Sequence, residues 1–446
     1  MQAGDSNLVD KLLRPVPADA LAGDEGTGLL RAAAFAGNAD VVASLLDAGA
    51  DPARPWEDGT DPVSWAADFG ACEVLQELVY SGSSWRKQVP QHVKRGALEI
   101  ARAWLSLDPE VELRRRLGAH QDEPAVVERL HISTRDKWPW PVQATRLRLT
   151  LSDGRQAETQ IAHRAIVTDL EDQFDIPVSR DELLARALFY APPESCDWSQ
   201  AQVVLAHGPD SEETFGWAAD LVAHPSVDTR RFATELLHHL SFYERPFKAQ
   251  ALEVLRPRLR AEDDPIALDS VIGAFAEFTS RGDLTDVLPL AGHPDPGIRA
   301  RVAGELVVAI GEPPQARPNP DPPLIPFDTP LDVVATLLRL ASDVDGPVRV
   351  GALRTLAESG IDTPAVRELL TTYLTDDHLY ARLNAAAGLA LREDQSGLEV
   401  LRQVGSERSP TDAARWQVYE VERILEHRAA AAPKVTAQIP TLLPRE

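Results

Sequence analysis

Hydrophobic positions recur with a fixed spacing near the amino terminus of this chain. Between Gly26 and Gly82, small and aliphatic residues repeat every 33 residues: Gly26 matches Gly59, Ala33 and Ala34 match Ala66 and Ala67, Gly37 matches Gly70, Val41 matches Val74, Leu45 matches Leu78, and Gly49 matches Gly82. The apolar residues of each copy follow the period of a helix, and the glycines stand where helices would end. The pattern predicts two stacked helix-turn-helix units over residues 26–84, with Gly49 and Gly82 just after the second helices.

The residues of this repeat carry a family resemblance. Residues 61–67, Asp-Pro-Val-Ser-Trp-Ala-Ala, resemble the Thr-Pro-Leu-His-x-Ala-Ala opening of the ankyrin repeat, and residues 45–51, Leu-Leu-Asp-Ala-Gly-Ala-Asp, resemble its end. The chain departs from the family at four positions: Gly28 and Asp61 replace Thr, and Arg31 and Ser64 replace His. Residues 1–118 are therefore expected to form ankyrin-type helical repeats with degenerate caps.

The period changes between residues 119 and 196. Residues 146–151 alternate Arg or Thr with Leu, and the Ser-Asp-Gly that follows is a turn signal, so a β-hairpin is predicted. Residues 125–133 are a possible third strand. Two helices follow, the second opening at Ser179 with Glu182 three residues later, as in a capping box. We expect a small α+β insert here.

Helical periodicity returns over residues 197–428 with a different repeat. Five segments align on one slot, occupied by Arg230, Leu268, Arg299, Arg349 and Arg382, at separations of 38, 31, 50 and 33 residues. The longest separation contains a Pro-rich loop at 312–330, which cannot be helical and is predicted to be an insertion.

These segments resemble bacterial HEAT repeats, including those of the bilin-lyase type, whose second helix begins Asp-Pro-x-x-Val-Arg and continues with Ala and Leu three and seven residues after the Arg. Those places hold Ala233, Ala352 and Ala385, then Leu237, Leu306, Leu356 and Leu389. The expected fold is mainly α, an α-solenoid of ankyrin and HEAT repeats with a small α+β insert and a flexible tail at 429–446. The layout is similar to uncharacterised ankyrin/HEAT proteins of actinobacteria.

Composition narrows the possible partners. The chain has 446 residues and a formal net charge of −24 at pH 7, which disfavours nucleic acid as a partner. Only two cysteines occur, the start lacks a basic-then-apolar signal, and no apolar run reaches the ~20 residues of a membrane span. A cytoplasmic protein without a membrane partner is expected.

The histidines are candidate metal ligands. The diiron hydroxylases of the HEAT class use His-Glu dipeptides, whereas no histidine here is followed by Glu. His224 and His293 occupy turn positions that hold Asp in other repeats, and the adjacent His238 and His239 point in different directions on a helix. Cys72 is expected to be a small buried hydrophobe. No catalytic residue, cofactor or metal site is predicted.

Three groups of residues are candidates for protein binding. Arg54 and Trp56 lie at an expected ankyrin loop tip. Trp138 and Trp140 are held extended by the intervening proline, and they either bind a partner or pack against the hairpin. The slot arginines, Arg230, Arg299, Arg349 and Arg382, either form an anion-binding ridge or pair with neighbouring acidic turn residues, Asp228, Asp295, Asp345 and Asp377.

The sequence leads to two hypotheses of different classes. The first is a non-enzymatic interaction scaffold or regulator, such as an immunity or inhibitor protein, that binds a basic protein partner. The alternative is a HEAT-fold enzyme of the DNA glycosylase or lyase type. A basic, aromatic-lined inner groove would favour the enzyme, and an acidic groove the scaffold. The partner's identity and the oligomeric state stay open.

Overall fold

The computed structural model divides into two compact units, residues 1–217 and 218–446. It describes residues 9, 12–13, 21–80, 88–134, 143–190, 195–242, 247–279, 284–310, 331–359, 361–409 and 412–431. Gly82, Trp138, Trp140 and the Pro-rich loop at 312–330 lie outside the described residues. The mainly α fold class with a small β insert is confirmed.

The first unit begins with the two predicted helix pairs. Its helices and strands are α1 (Asp24–Ala36), α2 (Ala39–Asp47), α3 (Pro62–Phe69), α4 (Cys72–Val79), α5 (Gln91–Trp104), α6 (Pro109–Arg116), β1 (Ala125–Ser133), β2 (Gln143–Leu151), β3 (Gln156–Gln160), α7 (His163–Gln173), α8 (Arg180–Leu188) and α9 (Cys196–His207); α10 (Ser211–Leu221) follows. Gly49 follows α2 with φ 94°, as predicted. Asp61 caps α3 through the backbone N–H of Ser64 at 2.8 Å, and Pro62 opens that helix.

The three strands form an antiparallel sheet in the order β1-β2-β3. The predicted hairpin and the possible third strand are both present. Leu147, Leu149 and Leu151 of β2 are buried beside Leu113 of α6. The alternating pattern therefore places the leucines against the helices.

Helix α7 is unusual because it buries charged side chains in the interior of the first unit. Asp169 accepts hydrogen bonds from Tyr80 Oη at 2.8 Å, Gln200 Nε2 at 3.0 Å and Gln173 Nε2 at 3.1 Å. Burial still raises the pKa of Asp169 to about 6. Because its partners come from segments before and after α7, this polar contact ties the helix pairs to the later helices.

Glu171 of α7 extends the same network. Arg102 of α5 donates Nη2 to one of its carboxylate oxygens at 2.9 Å, and Arg186 of α8 donates Nη1 to the other at 2.6 Å. Both oxygens of a nearly buried carboxylate are thus satisfied by guanidinium groups from two different helices. This carboxylate therefore links α5, α7 and α8.

His163 opens α7 in a closely fitted position. Its ring stacks on Trp104 with centroids 4.3 Å apart, and its Nε2 lies 3.2 Å from the carbonyl oxygen of Asp68. Gly70 leaves room for the ring, since a Cβ there would lie 2.7 Å from the imidazole Cε1. Burial lowers the pKa of His163 to about 4.

The lowered pKa of His163 predicts that this residue makes its own contribution to the free energy of unfolding depend on pH. The unfolded chain takes up a proton at this histidine near pH 6.5 and the folded chain only near pH 4, so stability present above pH 6.5 is lost as the pH falls through that window, by roughly 3 kcal/mol. His163→Gln should flatten this part of the pH dependence of unfolding, whereas His120→Gln, at an exposed position, should leave it unchanged. Equal slopes in the two variants would contradict the assignment.

The second unit is a series of helix pairs. Its helices are α11 (Val227–Phe242), α12 (Lys248–Ala261), α13 (Pro265–Phe278), α14 (Pro296–Ile310), α15 (Leu331–Leu340), α16 (Gly346–Glu358), α17 (Pro364–Thr372), α18 (Leu379–Ala390), α19 (Gln395–Glu407) and α20 (Ala413–Ala431). The helices that follow the slot turns, α11, α13, α14, α16 and α18, pack side by side in that order. They therefore form one row, which we call the second-helix row. Helix α20 extends to Ala431, three residues into the predicted tail.

A ladder of arginines joins successive pairs of this row. Arg299 donates Nη1 to the carbonyl oxygens of His293 and Pro294 in its own turn, at 2.9 and 3.0 Å. Its Nε and Nη2 both donate to the carboxylate of Asp343 in the following turn, at 2.8 Å. One guanidinium thus binds carbonyl oxygens of its own turn and a carboxylate of the next turn.

Two other slots repeat this arrangement, and one slot lacks both its donor and its acceptor. Arg230 binds the carboxylate of Glu262, and Arg349 binds that of Asp376. Each acceptor lies six residues before the next slot. Leu268 lacks the guanidinium, and the corresponding acceptor position in the next turn is His293 instead of an acid. The matched loss of donor and acceptor indicates that the two positions act together.

Removal of one ladder arginine should weaken the second unit. Arg349→Met leaves Asp376 largely buried without its cation, and we expect a loss of about 2–4 kcal/mol. Hydrogen exchange of α16 and α18 measures the loss without interference from the first unit. The control Arg423→Met breaks an exposed pair with Glu420 and should cost less than about 1 kcal/mol. Similar losses in the two variants would refute a special role for the ladder.

Candidate protein-binding surfaces

Three of the four slot arginines are engaged in the ladder. The ladder occupies the guanidinium groups of Arg230, Arg299 and Arg349, whose side chains are 14%, 15% and 17% exposed. Arg382 donates to the carbonyl oxygens of Asp376 and Asp377. The alternative, pairing with acidic turn residues, describes the first three.

The acidic partners differ from those expected from the sequence. The carboxylates that bind the ladder belong to the following turn: Glu262, Asp343 and Asp376. Asp295 and Asp345 instead accept backbone N–H groups at the starts of their own helices. Asp377 offers Arg382 its carbonyl oxygen. The nearest acid in sequence is engaged in capping, which leaves the arginine free to reach the next repeat.

Arg54 and Trp56 have internal roles. Arg54 donates to the carboxylate of Asp24 and, at 3.1 Å, to the carbonyl oxygen of Ala22, so it holds the start of α1. Trp56 is only 5% exposed. Its interpretation as an exposed contact residue is wrong, because the ring packs into the core between Phe35 and Trp65.

Trp56 contacts a row of aromatic rings that was not predicted from the sequence. Phe35 stacks on Trp65 with centroids 4.7 Å apart, and Trp65 stacks on Phe69 at 5.0 Å. Phe35 is 47% exposed. Trp65 and Phe69 are four residues apart on α3, a spacing that predicts a shared helix face from the sequence. The equivalent helix of the preceding copy supplies the third.

The second-helix row carries a polar face with an excess of acid. We call this the second-helix face, and its members are linked by ion pairs, a serine bridge or electrostatic interaction. It comprises five carboxylates and three guanidinium groups: Glu235, Asp269, Glu277, Glu305, Glu358, Arg231, Arg301 and Arg354. None of these residues belongs to the ladder. The charges of the face are therefore separate from the contacts by which the ladder joins the repeats.

Three carboxylates of this face are desolvated although solvent still reaches them. Burial raises the pKa of Asp269, Glu305 and Glu358 above the ordinary range, against the opposing effect of nearby arginines. The side chain of Asp269 is nevertheless 47% exposed, and Glu358 is exposed. Burial of these carboxylates therefore disfavours their charged forms even though solvent reaches them.

Ion pairs within the face are looser than those of the ladder. Arg301 Nε lies 3.2 Å from Glu305 Oε1 and 3.8 Å from Asp269 Oδ1. Arg231 Nη2 lies 3.8 Å from Glu235 Oε1, whose carboxylate also accepts from Ser270 Oγ at 3.0 Å. Arg301 therefore contacts Glu305 and Asp269 without the paired short hydrogen bonds that Arg299 makes in the ladder.

The described residues give little support for metal or thiol chemistry. Within them, no group of three or more His, Cys, Asp and Glu side chains is placed to hold a metal ion. Cys72 is buried, as expected. Cys196 donates its thiol to Glu73 Oε1 at 2.6 Å, and burial raises its pKa well above the ordinary value, which keeps the thiol protonated. In the same part of the chain, no helix is long and apolar enough to cross a membrane.

Comparison with known proteins adds two distant structural likenesses. No protein-family model and no curated protein matches the chain. A solved structure of YibA from Escherichia coli is similar at 14% identity and a TM-score of 0.42, covering 60% of this chain and 91% of that one. A crystal structure of an engineered protein is similar at 13% identity and a TM-score of 0.39, covering 95% of this chain and 96% of that one.

Proposed function

We propose that the protein is a non-enzymatic interaction scaffold or regulator whose second-helix face binds a basic protein partner. Its first unit would carry ankyrin-type repeats and its second unit HEAT repeats, as the sequence resemblances imply. The observation that carries the proposal is the excess of carboxylates over guanidinium groups on this face, where Arg301 Nε lies 3.2 Å from Glu305 and 3.8 Å from Asp269. A cation from a partner would supply the compensation that these carboxylates lack.

The charge of the face also bears on the alternative. A HEAT-fold glycosylase must hold a phosphate backbone, which requires an excess of positive charge in the groove. Here carboxylates outnumber guanidinium groups, and the slot arginines that would supply the positive charge are engaged in the ladder. These observations favour a scaffold over a DNA-processing enzyme. A regulator, an assembly factor and an immunity protein that masks a basic toxin are all compatible with such a face.

Neutralising the face should reduce binding to basic ligands. The test variant is Asp269→Asn/Glu305→Gln/Glu358→Gln, and the probe is a peptide of alternating arginine and glycine. We expect its association rate to fall several-fold and to lose most of its salt dependence, since charges separated by more than a Debye length of ~8 Å are screened at physiological salt. The matched control, Glu253→Gln/Glu368→Gln/Glu399→Gln, removes the same charge from exposed positions on other helices. Duplex DNA should not compete, and equal rates in test and control variants would refute the proposal.

The same variant should not lose stability. A carboxylate whose folded pKa is raised contributes most at low pH, and that contribution is lost as the pH rises above its unfolded value, so its charge is unfavourable to folding at pH 7. Replacement by an amide should leave the melting temperature at pH 7 unchanged or higher. A clear decrease, measured by calorimetry, would indicate that these carboxylates serve the fold rather than a partner.

A further inference from the structure

Arg301 occupies a notch on the second-helix face. Its side chain extends from α14 towards α13, where Gly273 has no side chain. A Cβ at Gly273 would lie 1.8 Å from Arg301 Nη2 and 2.9 Å from Cζ, so the guanidinium lies directly against the helix backbone. Asp269 and Glu305 flank it at 3.8 and 3.2 Å from Nε. The notch thus combines a flat floor with two carboxylates.

The guanidinium of Arg301 is held less firmly than that of Arg299 in the ladder. The ladder contacts of Arg299 are paired hydrogen bonds of 2.8 Å to one carboxylate. By contrast, the buried Nε of Arg301 makes no hydrogen bond among the described residues, although two carboxylates lie near it. Its side chain is 36% exposed. Arg301 therefore fills the notch in a geometry that uses little of the available hydrogen bonding.

We propose that Asp269, Gly273 and Glu305 form a guanidinium-binding subsite, which Arg301 fills in the free protein and which an arginine side chain of the basic partner takes over on binding. This inference rests on the proposed function. The planar guanidinium suits a floor of bare helix backbone, and its several N–H donors can bind both carboxylates together. A lysine ammonium is more strongly hydrated and cannot lie flat, so the subsite should prefer arginine.

A structural role for Arg301 is the competing explanation. It lies at the junction between α13 and α14, where Leu268 and His293 replace the ladder pair. If Arg301 substitutes for the missing ladder contact, its removal should lower the melting temperature and leave peptide binding unimproved. The experiment therefore measures both quantities.

The test uses the full chain and two peptides, alternating arginine with glycine and lysine with glycine. Arg301→Met empties the subsite, and we expect roughly tenfold tighter binding of the arginine peptide and a smaller gain for the lysine peptide. Arg301→Gln provides a second, polar replacement if the Met variant folds poorly. The control Arg354→Met removes the same charge from the same face, and it should raise affinity only about twofold to threefold for both peptides.

Filling the notch should abolish the gain. In Arg301→Met/Gly273→Ala, the new methyl group occupies the position of the guanidinium, so the preference for arginine over lysine should disappear. Equal gains in Arg301→Met and Arg354→Met, or a preference for arginine that survives Gly273→Ala, would overturn the subsite. Failure of the proposed function gives a different result from failure of the subsite. In that case, neither the wild type nor any variant binds either peptide through the carboxylates of the face.

Discussion

At three of the five slots in the second unit, a guanidinium binds both its own turn and the turn that follows. Asp343 shows how the contact propagates: its carboxylate accepts from Arg299, and its carbonyl oxygen accepts from Arg349. Bidentate pairs of this kind restrict orientation as well as distance. The repeats joined by Arg230, Arg299 and Arg349 are therefore each set against the next by the same geometry, even though the separations along the chain vary. An insertion can lengthen a repeat without disturbing the ladder, since only the turn itself must keep its spacing.

That constraint explains what the sequence could and could not predict. The slot positions, the helix pairs, the hairpin and the glycine after α2 follow from local periodicity and turn chemistry, which a sequence displays directly. The acceptor of each arginine does not, because Asp343 is 44 residues from Arg299 while Asp295 is only four away. Proximity in sequence favoured the nearer acid, but that acid is used as a helix cap. Trp56 shows a related limit. Its position in a polar loop suggests an exposed side chain, but the neighbouring helix covers it.

Helix α7 illustrates the same limit in the first unit. Its His, Asp and Glu residues have the composition of a solvated helix, yet His163, Asp169 and Glu171 are all buried. Each is compensated by a residue distant in sequence, such as Tyr80 for Asp169 and Arg102 for Glu171. Buried polar networks of this type are invisible to periodicity, since no local pattern distinguishes a charge that faces water from one that faces a partner. These contacts link α7 to helices on both sides of it in the sequence.

The pKa shifts of a ladder carboxylate and of three carboxylates on the second-helix face have opposite directions. In the ladder, the pKa of Glu262 is lowered to about 2 although burial opposes this, since hydrogen bonds from two arginines favour the charged form. On the second-helix face, the arginines leave the pKa of Asp269, Glu305 and Glu358 raised. The same chain therefore contains acids that are compensated by the fold and acids that are not. Carboxylates that weaken the free protein at neutral pH and stay open to solvent are poorly explained by folding alone. The proposed partner would supply compensation from outside the chain, and Arg301, which lies between Asp269 and Glu305, indicates the kind of group that fits there.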